Sequence, residues 1–366
     1  MNKGKPAGRR RRAVWRGLFL LAAAWLAAGC AGGQADDPAA HGAGKLGVVT
    51  SFYPLYDFAS KIGGEHAEVV NLVPAGVDSH DWSPRLQDMR RIAEADLFLY
   101  LGAGYEGWVD DFLGALEPGN GPAAVEASRG ADLIRLSGNG TPLAAGGEHS
   151  RGHGPDAEHD ADHGGESGYA GHEDGHAQEH GHDHGHRHGH SSLVTDPHVW
   201  LSPKQALVLA DNIRRAFVEA DPGHREDYER NHAELAGRLL ELDARARQVA
   251  ERAARKTFIV SHASFGYLAR DYGLTQIAVM GLAPDAEPTA GWLREVREEA
   301  ERLGIRYLLT EELVSPKVAQ VLAESLGIGT LVLNPLEGLT EEQLAAGEDY
   351  FSVMERNLTT LAVALE

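Results

Sequence analysis

Three histidines stand where chemistry can converge. His80 lies in Val77-Asp-Ser-His-Asp-Trp-Ser-Pro84 and His198 in Thr195-Asp-Pro-His-Val-Trp-Leu-Ser-Pro203. His262 lies in Ser261-His-Ala-Ser-Phe-Gly-Tyr267. Each follows, or closely follows, a run that reads as a strand or opens a helix. A single histidine is more often a surface or structural residue than a ligand. Three at strand ends are different, because the loop ends of a sheet point into one cleft. A fourth feature shares their chemistry. Residues 148–190 hold twelve histidines, in runs such as His180-Gly-His-Asp-His-Gly-His-Arg-His-Gly-His190. Neutral imidazole is a borderline-soft donor suited to Zn²⁺. A zinc site that is not catalytic takes four protein ligands in a tetrahedron. The chain has one cysteine, so a fourth ligand beside three histidines is expected to be a carboxylate or water.

One motif points elsewhere. His172-Glu-Asp-Gly-His176 fits the H-E-x-x-H pattern of zinc hydrolases, with Glu173 as the base. That pattern needs a helix to put both imidazoles on one face, and its glycine-rich surroundings disfavour one. His66, His224 and His232 read as surface or structural residues, and His41 falls in a tether.

The elements that must position the three histidines alternate between strand and helix. Strands are expected at Leu46–Ser51, Glu68–Val73 and Asp96–Leu101, with helices at 53–63 and 84–95. Residues 138–194 interrupt the pattern. They are rich in His, Gly, Asp and Glu and poor in aliphatics, and are expected to form a disordered loop. A helix at 203–220 follows Ser202 and Pro203, a capping residue and a first-turn proline. A longer helix is expected at 223–255, with Leu235, Leu239, Leu242, Ala246, Val249 and Ala253 in one stripe. A second alternating unit has strands at Thr257–Ser261, Gln276–Val279, Arg306–Thr310 and Thr330–Asn334. Its helices are at 289–303, 315–326 and Glu348–Leu365. The fold class is therefore α/β: two lobes, each with a mostly parallel sheet, joined by one long linking helix. The lobes are 45–222 and 256–366, the link 223–255. The site is expected in the interlobe cleft, beyond the carboxyl ends of the strands.

The first thirty residues read as a secretion signal. Lys3, Lys5, Arg9 to Arg12 and Arg16 form a basic start, and the apolar run Leu18–Ala28 is too short for a lasting transmembrane span. Cys30 follows Leu-Ala-Ala-Gly, which resembles a bacterial lipobox, with Leu26 one residue further from the cysteine than usual. Lipid attachment at Cys30 and a tether over 31–44 are expected. The first thirty residues carry seven basic and no acidic side chains, so their removal takes the net charge from -20 to -27. Such acidity disfavours nucleic acid as a partner and suits a cationic ligand.

Four stretches, in order, resemble the metal-binding receptors of zinc and manganese ABC importers. They are Thr50-Ser-Phe-Tyr-Pro-Leu-Tyr-Asp-Phe58, Leu72 to Pro84, Asp196-Pro-His-Val-Trp-Leu-Ser-Pro203 and Pro284-Asp-Ala-Glu-Pro-Thr289. The resemblance covers nearly all of 45–366 outside the histidine-rich segment. It implies two lobes on a rigid linking helix, and ligands at His80, His198 and His262. It places the fourth at the start of the last helix, in Gly347-Glu-Asp-Tyr-Phe351, at Glu348 with Asp349 as the rival. Manganese receptors of this kind offer more carboxylate, so a histidine at 262 implies zinc. The histidine-rich insertion, with His180, His182, His184, His186, His188 and His190, is expected to collect zinc.

The expected function is an extracytoplasmic, lipid-anchored zinc receptor, monomeric and not an enzyme. It would serve a membrane permease and a cytoplasmic ATPase, since no G-x-x-x-x-G-K-[ST] segment is present. Zinc affinity is expected to fall as pH drops through ~6.5, the ordinary imidazole pKa. The alternatives are a manganese receptor, a surface adhesin on the same fold, and a hydrolase built on Glu173.

Overall fold

Side chains along a strand alternate between faces, and the inner, apolar strands here bury both. In β1 (Leu46–Thr50), Val48 enters the central core and Val49 a smaller outer one. A computed structural model gives the arrangement. It describes residue 1 and residues 44–366, except 81, 118, 137–193, 283–287 and 313–315. Cys30, His41, the H-E-x-x-H motif and the histidines from His180 to His190 lie outside the described residues.

In the N-terminal lobe, β1 leads into α1 (Tyr53–Gly63), β2 (Ala67–Asn71), α2 (Leu86–Glu94), β3 (Leu97–Tyr100), α3 (Val109–Ala115) and β4 (Ala123–Glu126). The sheet order is β2-β1-β3-β4, all parallel. A two-rung antiparallel ladder follows, β5 (Arg135–Leu136) against β6 (Val194–Thr195). Next come α4 (Pro203–Ala220) and α5 (Arg225–Arg252). At ~1.5 Å per residue, α5 is long enough to cross between lobes. Its stripe of Leu235, Leu239, Leu242, Ala246 and Ala250 is buried, and it packs on α1 and α4.

The second lobe comprises β7 (Thr257–Val260), α6 (Gly266–Tyr272), β8 (Thr275–Ala278), α7 (Ala290–Leu303) and β9 (Tyr307–Thr310). Then come α8 (Pro316–Leu326), β10 (Gly329–Val332), α9 (Glu341–Ala345) and α10 (Tyr350–Ala364). The order β10-β9-β7-β8 is again parallel and repeats the first lobe's pattern: first strand central, second on one side, third and fourth on the other. Phe258 and Val260 face the central core, Ile259 the outer one. The central core runs through both lobes, taking Phe58 from α1, Trp200 ahead of α4, Leu239 from α5 and Tyr350 from α10.

Helix ends follow local chemistry. Pro203 occupies the first turn of α4, where its missing N–H costs nothing. Thr289 caps α7 by accepting from the Trp292 N–H at 3.2 Å, and Gly304 ends it in the left-handed conformation. Among the described residues no helix is long and apolar enough to cross a membrane.

Candidate metal centre

The reversal of strand order in each sheet falls at its first strand, and side chains beyond that point face a crevice. His262 stands two residues past the end of β7. His80 comes from the loop after β2, and His198 from the turn ahead of α4. These three meet, and a fourth group joins them: Glu337, from the loop after β10. One ligand atom from each lies within 4.8 Å of every other. Glu337 Oε1 is 3.2 Å from His80 Nε2, 3.4 Å from His198 Nε2 and 3.6 Å from His262 Nε2. The Nε2 atoms of His198 and His262 are 3.4 Å apart. A tetrahedron with arms of about 2.0–2.1 Å has edges of about 3.3–3.4 Å. The donor set therefore suits a four-coordinate zinc ion in chemistry, and these four separations suit it in size.

Outer carboxylates orient two of the rings. Asp196 Oδ1 accepts from His198 Nδ1 at 2.9 Å, and Glu311 Oε1 from His262 Nδ1 at 2.6 Å. A carboxylate only accepts, so each Nδ1 carries hydrogen and each Nε2 turns to the cluster. The Ser79 hydroxyl donates to Glu337 Oε2 at 3.2 Å and is also bonded to Tyr105 Oη. His198 and His262 are fully buried, while His80 keeps 18% of its side-chain surface.

Four polar groups packed this tightly set one another's protonation. Burial opposes a charge on His262, but hydrogen bonds to Glu311 and Glu337 and the charges of both outweigh it, raising the pKa to about 10. His198 is raised for the same reasons, burial being overcome by Asp196 and Glu337. Burial raises Glu337, yet hydrogen bonds from the three histidines carry it well below the usual carboxylate range. This is a place built for positive charge.

The loop bearing Glu337 belongs to the C-terminal lobe and is tied to the N-terminal one. Trp200 Nε1 donates to the Pro335 carbonyl at 2.8 Å, and the Gly76 N–H to the Leu339 carbonyl at 2.8 Å. Leu336 is held at φ 58°, unusual for leucine. Its N–H donates to Asn334 Oδ1 at 2.7 Å, and its buried side chain anchors it.

The structure brings His80, His198 and His262 together but does not bring Glu348 to them. Glu348 pairs with Arg356, one contact being 2.8 Å, which lowers its pKa. The rival Asp349 caps α10, accepting from the Ser352 N–H at 2.9 Å, and meets Lys61 and Arg238 at 3.2 Å each. Both follow the favourable placing of carboxylates at a helix start. The place expected for Glu348 is filled by Glu337. The signal for it was present: an acidic residue between Leu336 and Gly338, just past a predicted strand, satisfies the reasoning that singled out the histidines. His66 bonds Asp227 at 2.9 Å and His224 bonds Asp221 at 2.6 Å, away from the cluster.

Two parallel α/β lobes with a buried ligand cluster at their strand ends define the class of bilobed solute-binding receptors. The chain belongs to the family described as zinc-uptake complex component A, periplasmic (ZnuA), whose model matches residues 48–364. It is 37% identical over 352 residues to the high-affinity zinc uptake system protein ZnuA of Bacillus subtilis, covering 96% of this chain and 98% of that protein. It is 37% identical to the zinc-binding protein AdcA of Streptococcus pyogenes over 88% of this chain, but spans only 56% of that longer protein. Among solved structures, the Zn(II)-bound ZnuA-like domain of Streptococcus pneumoniae AdcA superposes with a TM-score of 0.65 at 34% identity, covering 88% of this chain and 99% of that one. The laminin-binding protein Lmb of Streptococcus agalactiae, titled a bifunctional adhesin and metal transporter, gives 0.67 at 25% identity, covering 88% of this chain and all of that one.

Proposed function

We propose that this chain is an extracytoplasmic zinc receptor that holds one Zn²⁺ in the cleft through His80, His198, His262 and Glu337, and delivers it to a membrane permease driven by a cytoplasmic ATPase. The observation that carries the reading is Glu337 Oε1 standing 3.2–3.6 Å from three imidazole Nε2 atoms. Three imidazoles and one carboxylate favour zinc over the harder manganese ion. Four protein ligands leave no open position for an activated water, so the site binds and releases its cargo without hydrolysis. The reading includes acylation of Cys30, a tether over 31–44, lobes at 45–222 and 256–366 with the link at 223–255, a monomeric state, and zinc collection by residues 180–190. Adhesion is not favoured, since it rests on relatives of lower identity.

The test is zinc content and affinity of the full chain with single alanine changes. His80→Ala, His198→Ala, His262→Ala and Glu337→Ala are each expected to weaken the cleft site by more than about 100-fold, beyond the usual loss from an outer supporting group. Glu348→Ala is expected to bind zinc like the unchanged protein. The reverse result for Glu337 and Glu348 would discard this ligand set.

A further inference from the structure

Both lobes carry the same clamp at the point where strand order reverses. In the N-terminal lobe Ser51, the residue after β1, donates from Oγ to Glu106 Oε1 at 2.6 Å. Glu106 also accepts from the N–H groups of Leu101 and Gly102, just past β3, at 2.7 and 2.9 Å. In the C-terminal lobe Ser261, the residue after β7, donates to Glu311 Oε1 at 2.5 Å, and Glu311 is the residue after β9. In each lobe a serine and a glutamate thus tie the first strand to the third. The two lobes part at the next residue along. Phe52 succeeds Ser51 and is buried in the central core. His262 succeeds Ser261, and its Nδ1 lies 2.6 Å from the same Glu311 oxygen that the serine engages.

We propose that Glu311 is a positioning residue for zinc, fixing the tautomer and ring orientation of His262 so that Nε2 meets the metal. The proposal rests on the zinc reading above. An unrestrained imidazole can offer either nitrogen and can turn about its terminal torsion. An acceptor fixed on Nδ1 removes both freedoms and strengthens Nε2 as a donor. Glu311 is itself fixed, because Ser261 holds it and it is 8% exposed. The geometry is therefore set before the ion arrives. Asp196 treats His198 similarly, but from within the same turn, where it also accepts the His198 N–H at 2.9 Å. Glu311 reaches across from a neighbouring strand, so its hold on His262 couples the ligand to the sheet. Glu106 shows the clamp serving the sheet alone, without a histidine, and the test must separate these roles.

The test compares zinc dissociation constants and Co²⁺ visible spectra of the full chain carrying Glu311→Ala, Glu311→Gln and Glu106→Gln. Glutamine keeps a carbonyl acceptor for Nδ1–H, whereas alanine keeps none. Glu311→Ala is expected to weaken zinc binding about 10- to 100-fold and to change the Co²⁺ ligand-field bands. Glu311→Gln is expected to keep the bands and lose less than about tenfold. Glu106→Gln should lower the melting temperature and move neither metal readout. If Glu311→Ala keeps the wild-type Co²⁺ spectrum and zinc affinity, Glu311 serves only the sheet and the proposal falls. Should Glu311→Ala fail to fold, the ¹⁵N resonances of His262 in the zinc-loaded wild type decide. Metal on Nε2 with hydrogen on Nδ1 is expected, and metal on Nδ1 overturns the proposal. His262→Ala separates the two levels. Undiminished zinc binding there would sink the ligand set itself. Lost binding there, beside an indifferent Glu311→Ala, would sink the positioning role alone.

Discussion

At the scale of single residues, the cleft is a hole for positive charge that protons fill when zinc is absent. Glu337 draws on three imidazoles, and Glu311 adds a second carboxylate beside His262. With a pKa of about 10, His262 stays protonated in the metal-free protein across neutral pH, and zinc must displace that proton. The proton linkage therefore extends well above ~6.5, the ordinary imidazole value used for the sequence expectation. Displacing the His262 proton alone makes zinc affinity rise about tenfold per pH unit from roughly pH 7 to 9, and the raised His198 can only steepen this. Calorimetry at pH 8 in buffers of different ionisation heat should give at least about one proton released per zinc, and release of none would refute the coupling. The sign for stability is opposite. A histidine raised in the folded state contributes stability that is complete below ~6.5 and is lost as pH rises through the folded value. Melting temperature of the metal-free protein should therefore decline from pH 7 to 9, while the increment that zinc adds should grow.

At the scale of elements, legibility followed how local the determining physics is. The long α4 and α5 helices were readable because their apolar stripes repeat over many turns. Strands β1, β3, β7 and β9 were readable as short, bounded apolar runs. β4 was not: Ala123-Ala-Val-Glu126 has little β preference, and its place beside β3 comes from parallel pairing that only the folded sheet supplies. The short helices α3, α6 and α9 were missed because five to seven residues carry too little periodicity. A rule about strand ends singled out His80, His198 and His262, which the fold gathers beside Glu337, whereas the fourth group was sought by a motif at a helix start. Asp349 shows what that helix start does. It caps α10 and takes Lys61 of α1 and Arg238 of α5, so three elements meet on one carboxylate. Asp349→Ala should cost about 0.5–2 kcal/mol in urea unfolding, the usual range for a lost cap, and leave zinc affinity unchanged. A hundredfold loss of zinc binding would instead restore Asp349 as a ligand.

At the scale of the whole molecule, the ladder between β5 and β6 joins the described residues on either side of the histidine-rich segment. Leu136 pairs with Val194 and Arg135 with Thr195. The residues that flank 137–193 therefore lie at neighbouring points, about 4.5–5.5 Å apart for paired positions. Val194 is two residues from Asp196 and four from His198. Ile134 and Asp196 continue the register, with the Asp196 N–H donating to the Ile134 carbonyl at 3.0 Å. Tyr267 Oη further pins both chains, donating to the Asp196 carbonyl at 2.6 Å and accepting from the Ile134 N–H at 3.0 Å. Bonds among the described residues thus fix the site side of the ladder. Replacing 137–193 by Asn-Gly, a dipeptide that closes two-residue hairpins, should leave one zinc bound with unchanged cleft affinity. It should abolish the additional, weaker zinc binding and slow growth under severe zinc scarcity. A cleft affinity reduced tenfold or more would mean that the segment belongs to the primary site. Normal growth under scarcity, with the cleft intact, would remove the collecting role assigned to His180 through His190.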